Sequence, residues 1–344
     1  MDNNSNQHMH VATPVAVIIL NWNGAKLLRE FLPSVVAHTN PAVGTVIVAD
    51  NGSTDSSLQL LREEFPQVAT IVFPENYGFA EGYNRAIAAV DAPYVVLLNS
   101  DVAVDTDWLS PLYHFMESHP DFGAVQPKLL AYKERQTFEY AGAAGGYLDR
   151  NGYPYCRGRI FGSVEHDDRQ YDLPETEAYV CDWASGAALM VRRSLYIDAG
   201  GLDSRFFAHM EEIDLCWRIR LAGYKVGAVT ASTVYHLGGG SLPASNPRKT
   251  YLNFRNNLLM LHKNLPDATR SRKLLVRRLL DTIAWAKFVA TLDWGNASAV
   301  WRAHRDFAKM RTDYTEHPSV DLLTNPVNIL TAYYLKGIRK FSQL

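Results

Sequence analysis

Cysteine is scarce in this sequence: its 344 residues include only three, at Cys156, Cys181 and Cys216. Three scattered cysteines cannot form the disulfide framework of a small secreted domain, and their spacing is unlike that of a zinc cluster. We therefore expect a protein of a reducing compartment, in which the three thiols are small, buried apolar side chains.

Long apolar runs and export signals are also missing. The longest apolar stretch, from Leu274 to Leu292, is interrupted by four charged residues, so we do not expect it to span a bilayer. The segment Met1–Thr13 contains no Lys or Arg and leads into no signal-peptide pattern. We predict a disordered tail over residues 1–13 and a cytoplasmic location.

Neither of the common glycine-rich phosphate-binding motifs is present. The sequence has no G-x-x-x-x-G-K-[ST], and no G-x-G-x-x-G follows its first predicted strand. These absences argue against a P-loop protein and a Rossmann dinucleotide domain. A nucleotide whose diphosphate is held by a metal ion and basic side chains fits the sequence better.

Charge is unevenly distributed, although the net charge is only −2. Residues 1–247 contain 17 Lys and Arg against 29 Asp and Glu, a net −12, and residues 248–344 contain 17 against 7, a net +10. A basic C-terminal part fits an anionic membrane surface, and we predict no nucleic-acid partner.

A helix within residues 274–292 would carry an apolar face that includes Leu275, Leu279 and Ile283, with Arg277 and Asp281 opposite. Two interpretations stay open. The helix packs on the domain in the ordinary way, or it lies in a membrane interface. Three tryptophans, Trp285, Trp294 and Trp301, favour the second interpretation, and residues 329–341 are a second candidate for the same role.

The N-terminal third alternates short apolar runs with helical patterns, which predicts βαβ units around a parallel sheet. The predicted strands are Val15–Leu20, Thr45–Ala49, Ala69–Phe73 and Tyr94–Leu98, and the predicted helices are Ala25–Ala37, Ser56–Phe65 and Ala80–Ala89. Polar clusters of Asp, Asn and Gly follow every strand. Each cluster alone is consistent with helix capping, but open α/β sheets bind ligands at this edge.

Several side chains suit a cation and a general base. Asn99 and Asp101 are two residues apart in an extended segment and offer oxygen ligands in the same direction. His236, which ends a predicted strand before Gly238–Gly240, is a further candidate ligand. Glu211 and Glu212 begin a predicted helix over 211–222, where they either complement the helix dipole or supply a base.

Together these segments resemble the family 2 inverting glycosyltransferases with a GT-A fold, particularly the bacterial rhamnosyltransferase branch. The matching stretches follow in order over residues 15–260: VAVIILNWNG, VIVADNGSTDSS, PENYGFAEGYNRAI, YVVLLNSDV, WASGAALMVRRS, FFAHMEEIDLCWRIRLAGYKV and VYHLGGGS. The resemblance implies an α/β fold with a central, mostly parallel sheet flanked by helices over residues 14–265. A basic helical extension would cover residues 266–344.

The resemblance also implies a donor site. The residues expected around the base and ribose are Asn21, Asp50 and Asp55, and those lining the nucleotide and sugar pocket are Asn76, Gly78 and Asn84. Asn99 and Asp101 stand at the D-x-D position, so Mg²⁺ or Mn²⁺ is expected on Asp101 and His236.

The remaining implied roles concern the transferred sugar. Glu211-Glu212 replaces the usual Glu-Asp, which leaves the choice of base open, and we favour Glu212. Trp183 is expected to stack on a sugar or to be a core residue, and Arg255 is expected to reach the diphosphate or to lie on the surface.

The function implied is metal-dependent, inverting transfer of a sugar from a dTDP- or UDP-type donor, with dTDP-rhamnose favoured. The acceptor is a hydroxyl of a saccharide, expected to be lipid-linked, in cell-surface polysaccharide assembly at the inner face of the cell membrane. Two other classes stay open: a sugar-1-phosphate nucleotidyltransferase and a non-catalytic, membrane-docked nucleotide-sugar-binding scaffold.

Overall fold

The N-terminal part is built from βα units, as the alternation predicts. The computed structural model describes residues 9–238 and 246–344. The first elements are β1 (Val15–Asn21), α1 (Ala25–His38), β2 (Gly44–Asp50), α2 (Ser57–Glu64), β3 (Ala69–Val72), α3 (Gly78–Ala88) and β4 (Tyr94–Leu98). β1 pairs in parallel with β2 and β4, and β2 pairs in parallel with β3. The carboxyl ends of four strands therefore meet at one edge.

These strands are continuous apolar runs because both faces of the sheet are covered. Neighbouring residues of β1 belong to different cores: Ile18 packs in one hydrophobic cluster and Val17 in another. β-Branched side chains suit such doubly buried strands.

The middle of the chain extends this sheet and adds a smaller one. Its elements are β5 (Val102–Val104), α4 (Leu109–Ser118), β6 (Phe122–Ala131), β7 (Gly146–Leu148), β8 (Pro154–Cys156), β9 (Arg159–Ile160), β10 (Ser163–Val164), β11 (Tyr179–Cys181), β12 (Ala188–Arg192), α5 (Arg193–Asp198), α6 (Glu211–Leu221) and β13 (Lys225–His236). In the described residues the large sheet has nine strands in the order β11-β13-β6-β12-β4-β1-β2-β3, with β5 beside β13. Strands β7 to β10 form an antiparallel sheet of their own.

Two details differ from the sequence-based expectation. The sequence pattern predicts two short strands, Lys225–Val229 and Ser232–Tyr235, but the structure has one strand, β13, with a bulge between Val229 and Thr233. The pattern also predicts a strand from Asp182 to Val191, but the observed strand begins only at Ala188, and an irregular segment precedes it. Of the glycines after His236, only Gly238 is among the described residues.

The C-terminal part consists of three long helices and a returning segment. The helices are α7 (Pro247–Asn264), α8 (Asp267–Ala290) and α9 (Trp294–Met310). The last residues then run back to the small sheet, where Ile329 is fully buried against Tyr155 and Ile160. Residues 329–341, the second candidate interfacial segment, are thus anchored on the small sheet through Ile329, whereas Tyr334 and Leu335 of the same segment are exposed.

The predicted division at residue 265 does not separate two cores. Leu274, Phe307 and Leu323 belong to the same hydrophobic cluster as Ile18 of β1. The expected disordered tail is also shorter, because Met9 N donates to Ala89 O over 2.8 Å and Val11 is buried. Residues 1–8 lie outside the described part. Of the described helices, none combines the length and the apolar character needed to cross a membrane.

Candidate active site

Asn21 and Asp50 end two neighbouring parallel strands and bond to each other. Asn21 Nδ2 donates to Asp50 Oδ2 over 2.9 Å, and Ser53 N donates to Asp50 Oδ1 over 2.9 Å. Both side chains are buried. These bonds hold the turn after β2, and Asn21 Oδ1 is buried without a hydrogen-bond partner in the protein.

Asp55 and Asn76 lie at the exposed side of the same edge. Asp55 accepts hydrogen bonds from Ala25 N and Ser57 N, each over 3.0 Å, and so fixes the starts of α1 and α2. Asn76 Oδ1 accepts from Gly78 N over 2.8 Å. Gly78 has φ of +79°, and an added Cβ there would meet no atom within 4 Å. A ligand can therefore approach the backbone closely at this glycine.

Asn84 lies behind the pocket that it was expected to line. Its amide donates to Leu202 O over 2.8 Å and accepts from Leu202 N over 2.9 Å and from Tyr196 Oη over 2.6 Å. With both amide atoms engaged, Asn84 ties α3 to the segment before α6.

Asp101 and His236 come together at the end of β4, although 135 residues separate them. His236 Nε2 lies 3.2 Å from Asp101 Oδ1 and 3.5 Å from Asn99 Nδ2, and His236 Nδ1 lies 3.4 Å from Glu139 Oε1. Burial by itself lowers the pKa of His236, but its contacts with Asp101 and Glu139 raise that pKa to about 10. Glu139 was missed from the sequence because it lies in a stretch without periodicity, and only the fold brings it here.

This donor set fits a divalent cation that also binds a ligand. No group of three His, Cys, Asp or Glu with metal-site geometry occurs within residues 9–238 and 246–344. Asp101 and His236 nevertheless offer one carboxylate and one imidazole, with side chains 15% and 9% exposed. Mg²⁺ is commonly held by one or two carboxylates together with water and substrate phosphates. Two protein ligands are therefore sufficient when a nucleoside diphosphate supplies the rest.

Glu211 and Glu212 begin α6 with unsatisfied carboxylate oxygens. Oε2 of each is buried and has no hydrogen-bond partner in the protein. Burial raises the pKa of both carboxyl groups, and the charges of Glu212 and Asp214 raise the pKa of Glu211 further. Of the two, Glu212 lies against Gly186, where an added Cβ would be 3.8 Å from the carboxyl carbon of Glu212.

Asp214, two residues further along α6, has a structural role. It is completely buried and bonded to Arg218 Nη2 at 2.7 Å, Lys263 Nζ at 2.9 Å and Asn264 Nδ2 at 2.7 Å. Burial raises the pKa of this carboxyl, but the two cations outweigh it and lower the pKa overall. Asp214 thereby joins α6 to α7.

The segment from Trp183 to Ala187 lies between the two acidic groups. An added Cβ on Gly186 would lie 3.4 Å from Cβ of Glu212, and Asn99 N donates to Ala187 O over 3.0 Å. Glu212 and Asn99, which itself neighbours the Asp101–His236 pair, thus border the same segment. Trp183 itself is a core residue, 3% exposed, whose Nε1 donates to Tyr147 O. The expected stacking of Trp183 on a sugar is wrong for this conformation.

A strained loop precedes α6. Phe207, His209 and Met210 have φ of 67°, 69° and 77°. Residues other than glycine rarely adopt this left-handed backbone conformation. Asn256 Nδ2 lies within hydrogen-bond distance of the carbonyl oxygens of Phe206, Ala208 and His209, at 2.7–2.9 Å. Local strain of this kind persists only where surrounding bonds fix it, and it clusters at functional sites.

Arg255 supports the same loop. It donates to Phe206 O over 2.8 Å and to Arg205 O over 3.2 Å, and only 8% of it is exposed. In this structure the Arg255 guanidinium is buried and engaged by the loop before α6. No signal in a single sequence distinguishes an arginine that holds carbonyl oxygens from one that binds phosphate.

Comparison with known proteins agrees with this geometry. The sequence model of glycosyl transferase family 2 matches residues 16–168. The N-acetylglucosaminyl-diphospho-decaprenol L-rhamnosyltransferase of Mycobacterium tuberculosis H37Rv is 30% identical over 233 residues, which cover 64% of this chain and 75% of that protein. The chain belongs to glycosyl transferase family 2. It is a transferase of rhamnosyltransferase-like type, as the sequence motifs predict.

Other family 2 relatives and solved structures extend the comparison. Rhamnosyltransferase WbbL of Escherichia coli K12 is 29% identical over 171 residues, or 46% of this chain and 61% of WbbL. Among solved structures, GalNAc-T7 with UDP, GalNAc and Mn²⁺ aligns with a TM-score of 0.58 at 15% identity, covering 88% of this chain and 56% of that one. TarS of S. aureus aligns with a TM-score of 0.51 at 17% identity, covering 76% and 42%. These structural likenesses confirm the GT-A fold.

Proposed function

We propose that this family 2 glycosyltransferase transfers rhamnose from dTDP-rhamnose to a hydroxyl of a lipid-linked saccharide, with inversion at the anomeric carbon. The observation that carries the proposal is the position of the Glu212 carboxylate. One of its oxygens is buried without a hydrogen-bond partner, and the side chain lies beside Gly186, whose neighbour Ala187 accepts a hydrogen bond from Asn99 N. The rhamnosyltransferase relatives support the sugar, and the printed name of the mycobacterial relative supports a lipid diphosphate acceptor. A UDP-type donor is the alternative.

In the proposed reaction, Glu212 accepts the proton of the acceptor hydroxyl while that oxygen attacks the anomeric carbon. The carbon–oxygen bond to the diphosphate breaks on the opposite face, so no covalent enzyme intermediate is required. Burial keeps water from competing for the Glu212 oxygen and raises its pKa towards the working range of a general base.

The donor would lie along the carboxyl edge of the sheet. We propose that Asp55, Asn76 and Gly78 form the accessible side of its pocket, and that Asn21, Asp50 and Asn84 hold the wall behind it. Asp101 and His236 would hold Mg²⁺ or Mn²⁺, with Asn99 beside them. When bound, such an ion neutralises negative charge on the leaving diphosphate.

A lipid-linked acceptor places the enzyme at a membrane. We therefore propose a cytoplasmic enzyme that works as a peripheral protein on the inner face of the cell membrane, in the assembly of a surface polysaccharide. The basic residues 248–344, with a net charge of +10, support this location.

The test compares Glu212→Gln with Glu211→Gln under saturating dTDP-rhamnose and a soluble acceptor analogue. We expect Glu212→Gln to reduce turnover about 10²–10⁴-fold, the range for loss of a general base, while donor affinity is retained. Glu211→Gln, which leaves the proposed base in place, is expected to reduce turnover far less. Near-normal turnover in Glu212→Gln would contradict the assignment.

The same assay decides between the remaining classes. Family 2 membership argues against a sugar-1-phosphate nucleotidyltransferase. Such an enzyme would release or consume pyrophosphate, whereas the proposed transferase releases a nucleoside diphosphate. A non-catalytic scaffold would bind the donor without transfer. Release of dTDP that depends on Glu212 is expected for the transferase alone.

A further inference from the structure

Helix α8 buries an ion pair and exposes a row of large apolar side chains. Asp281 is completely buried and Arg277 is 3% exposed, whereas Leu275, Leu279 and Ile283 are 60%, 59% and 67% exposed. An amphipathic helix of a globular domain normally has the opposite orientation. The side of α8 that carries Arg277 and Asp281 is therefore packed on the domain. The side that carries the exposed leucines and Ile283 has no partner among the described residues.

Specific contacts fix this orientation. Arg277 Nε bonds to Asp281 Oδ1 over 2.8 Å, and Asp281 Oδ2 lies 3.1 Å from His304 Nε2 on α9. Arg277 also donates to Asn257 on α7, and its guanidinium lies 3.9 Å from the centre of the Tyr153 ring. Rolling α8 to bury its leucines would expose or unpair these groups, so the outward apolar face is a stable feature of the fold.

The outward residues form one continuous surface. Leu275, Leu279 and Ile283 follow at four-residue spacing, and the smaller Ala286 and Ala290 continue the same stripe. Of the 18 large apolar or aromatic side chains that are exposed in the described part, eight lie between residues 275 and 301. The further members of this group are Val276, Trp285, Leu292, Trp294 and Trp301.

Charge decides which partner fits this surface. Exposed basic residues of α8 and α9 accompany the apolar stripe, namely Arg272, Arg278, Lys287, Arg302 and Arg305. Two copies of the chain joined symmetrically through this face would bring two regions of net charge +10 together, which disfavours a dimer. Tryptophan and arginine around a leucine stripe suit the boundary between lipid headgroups and acyl chains.

We propose that the outward face of α8, with Trp294 and Trp301 of α9, docks the enzyme flat onto an anionic lipid bilayer. The stripe from Leu275 to Ala290 is about 22 Å long at 1.5 Å per helical residue, enough for an in-plane contact. The proposal rests on the proposed function in one respect: it names the surface that would bring the active site to a lipid-linked acceptor.

The test uses the full chain and sucrose-loaded vesicles that contain no acceptor, either pure phosphatidylcholine or phosphatidylcholine with phosphatidylglycerol. We expect sedimentation with the anionic vesicles and less with the neutral ones. The double variant Leu279→Gln/Ile283→Gln should bind at least about tenfold more weakly, because two exposed apolar side chains no longer enter the bilayer. Both positions are exposed, so folding is expected to be retained.

The matched control is Val72→Gln/Val180→Gln, which removes two side chains of 57% and 56% exposure from the edge strands β3 and β11. It should sediment like the unmodified chain. Failure of the unmodified chain to bind anionic vesicles, or equal binding by the α8 variant, would overturn the proposal. A dimer that the α8 variant dissociates would assign the face to a second copy instead.

Transfer to a soluble acceptor analogue separates this proposal from the proposed function. Normal transfer without vesicle binding would reject the docking surface and leave the enzyme assignment intact. Vesicle binding without any transfer would support the docking surface and reject the enzyme assignment.

Discussion

At the scale of single residues, the site depends on side chains that only partly match their expected roles. Asp101, His236 and Glu212 occupy positions consistent with a cation site and a base, whereas Trp183 and Arg255 are engaged in packing and in holding a loop. The two kinds of side chain differ in what burial requires of them. An imidazole and a carboxylate need specific partners when buried, but an aromatic ring is satisfied in any apolar core.

Glu139 is the residue that the structure adds. Its carboxylate accepts from Ala141 N and lies 3.4 Å from Nδ1 of His236, on the opposite side of the ring from Asp101. A carboxylate in this position orients a histidine and strengthens it as a metal ligand. Glu139 is therefore a positioning residue for His236.

We predict that Glu139→Gln binds Mn²⁺ about 10–100-fold more weakly in the presence of dTDP, the usual effect of changing such a partner. The measurement is an electron paramagnetic resonance titration of free Mn²⁺. Glu134→Gln is the control, since Glu134 lies nearby in sequence but is exposed. Equal Mn²⁺ affinities in both variants would remove Glu139 from the site.

The pH dependence of turnover follows from the burial of Glu212. A general base has to be ionised, so turnover falls as the pH drops through its pKa, and burial raises that pKa. We predict an acid limb whose midpoint lies above the ordinary glutamate value of about 4.3. The measurement is kcat against pH at saturating donor. A midpoint at or below the ordinary value would show that Glu212 is solvated during catalysis.

At the scale of elements, the segment before α6 connects the base to α7. The sequence predicts α6 over 211–222, close to the observed Glu211–Leu221. It does not predict that Asn256 of α7 would hold three carbonyl oxygens of a left-handed loop. That arrangement depends on how two helices meet.

We predict that Asn256→Ala lowers turnover about 10²-fold with little change in donor affinity, since small displacements of a catalytic group have effects of this size. Asn257→Ala is the matched control. Asn257 is also buried on α7, but its amide donates to Gly152 O, away from the loop. Turnover and donor affinity are measured at a temperature where both variants are folded. Equal turnover in the two variants would refute the role of the loop.

At the scale of the whole molecule, the basic C-terminal helices belong to the same folded body as the sheet. Leu274, Phe307 and Leu323 join the main hydrophobic cluster, and the segment around Ile329 closes over the small sheet. Helix α8 is held through the buried pair Arg277–Asp281. Removing one member of such a pair leaves an uncompensated buried charge.

We predict that Asp281→Ala lowers the free energy of unfolding by about 3–5 kcal/mol, because Arg277 then stays buried without its carboxylate. Asp267→Ala is the control at the start of the same helix. The Asp267 side chain is 78% exposed, so loss of its contact with Arg270 should cost less than about 1 kcal/mol. Urea denaturation measures both changes. Equal losses would show that the Arg277–Asp281 pair does not hold α8.

The sequence by itself determined the βα architecture and the family, and it singled out candidate cation ligands and a candidate base. These follow from short-range patterns: apolar periodicity sets strands and helices, and polar residues after parallel strands reach one edge. The amphipathic pattern of α8 is readable in the same way.

Only the tertiary structure decided which side of each element faces inwards. A helical pattern shows that Arg277 and Leu279 lie on different faces of α8, but the partners offered by Asn257 and His304 determine that the charged face is buried. In the same way, Tyr147 makes Trp183 a core residue, and the carbonyl oxygens of the loop before α6 occupy Arg255. The free energy of burial depends on contacts between segments far apart in the chain, and no local pattern contains them.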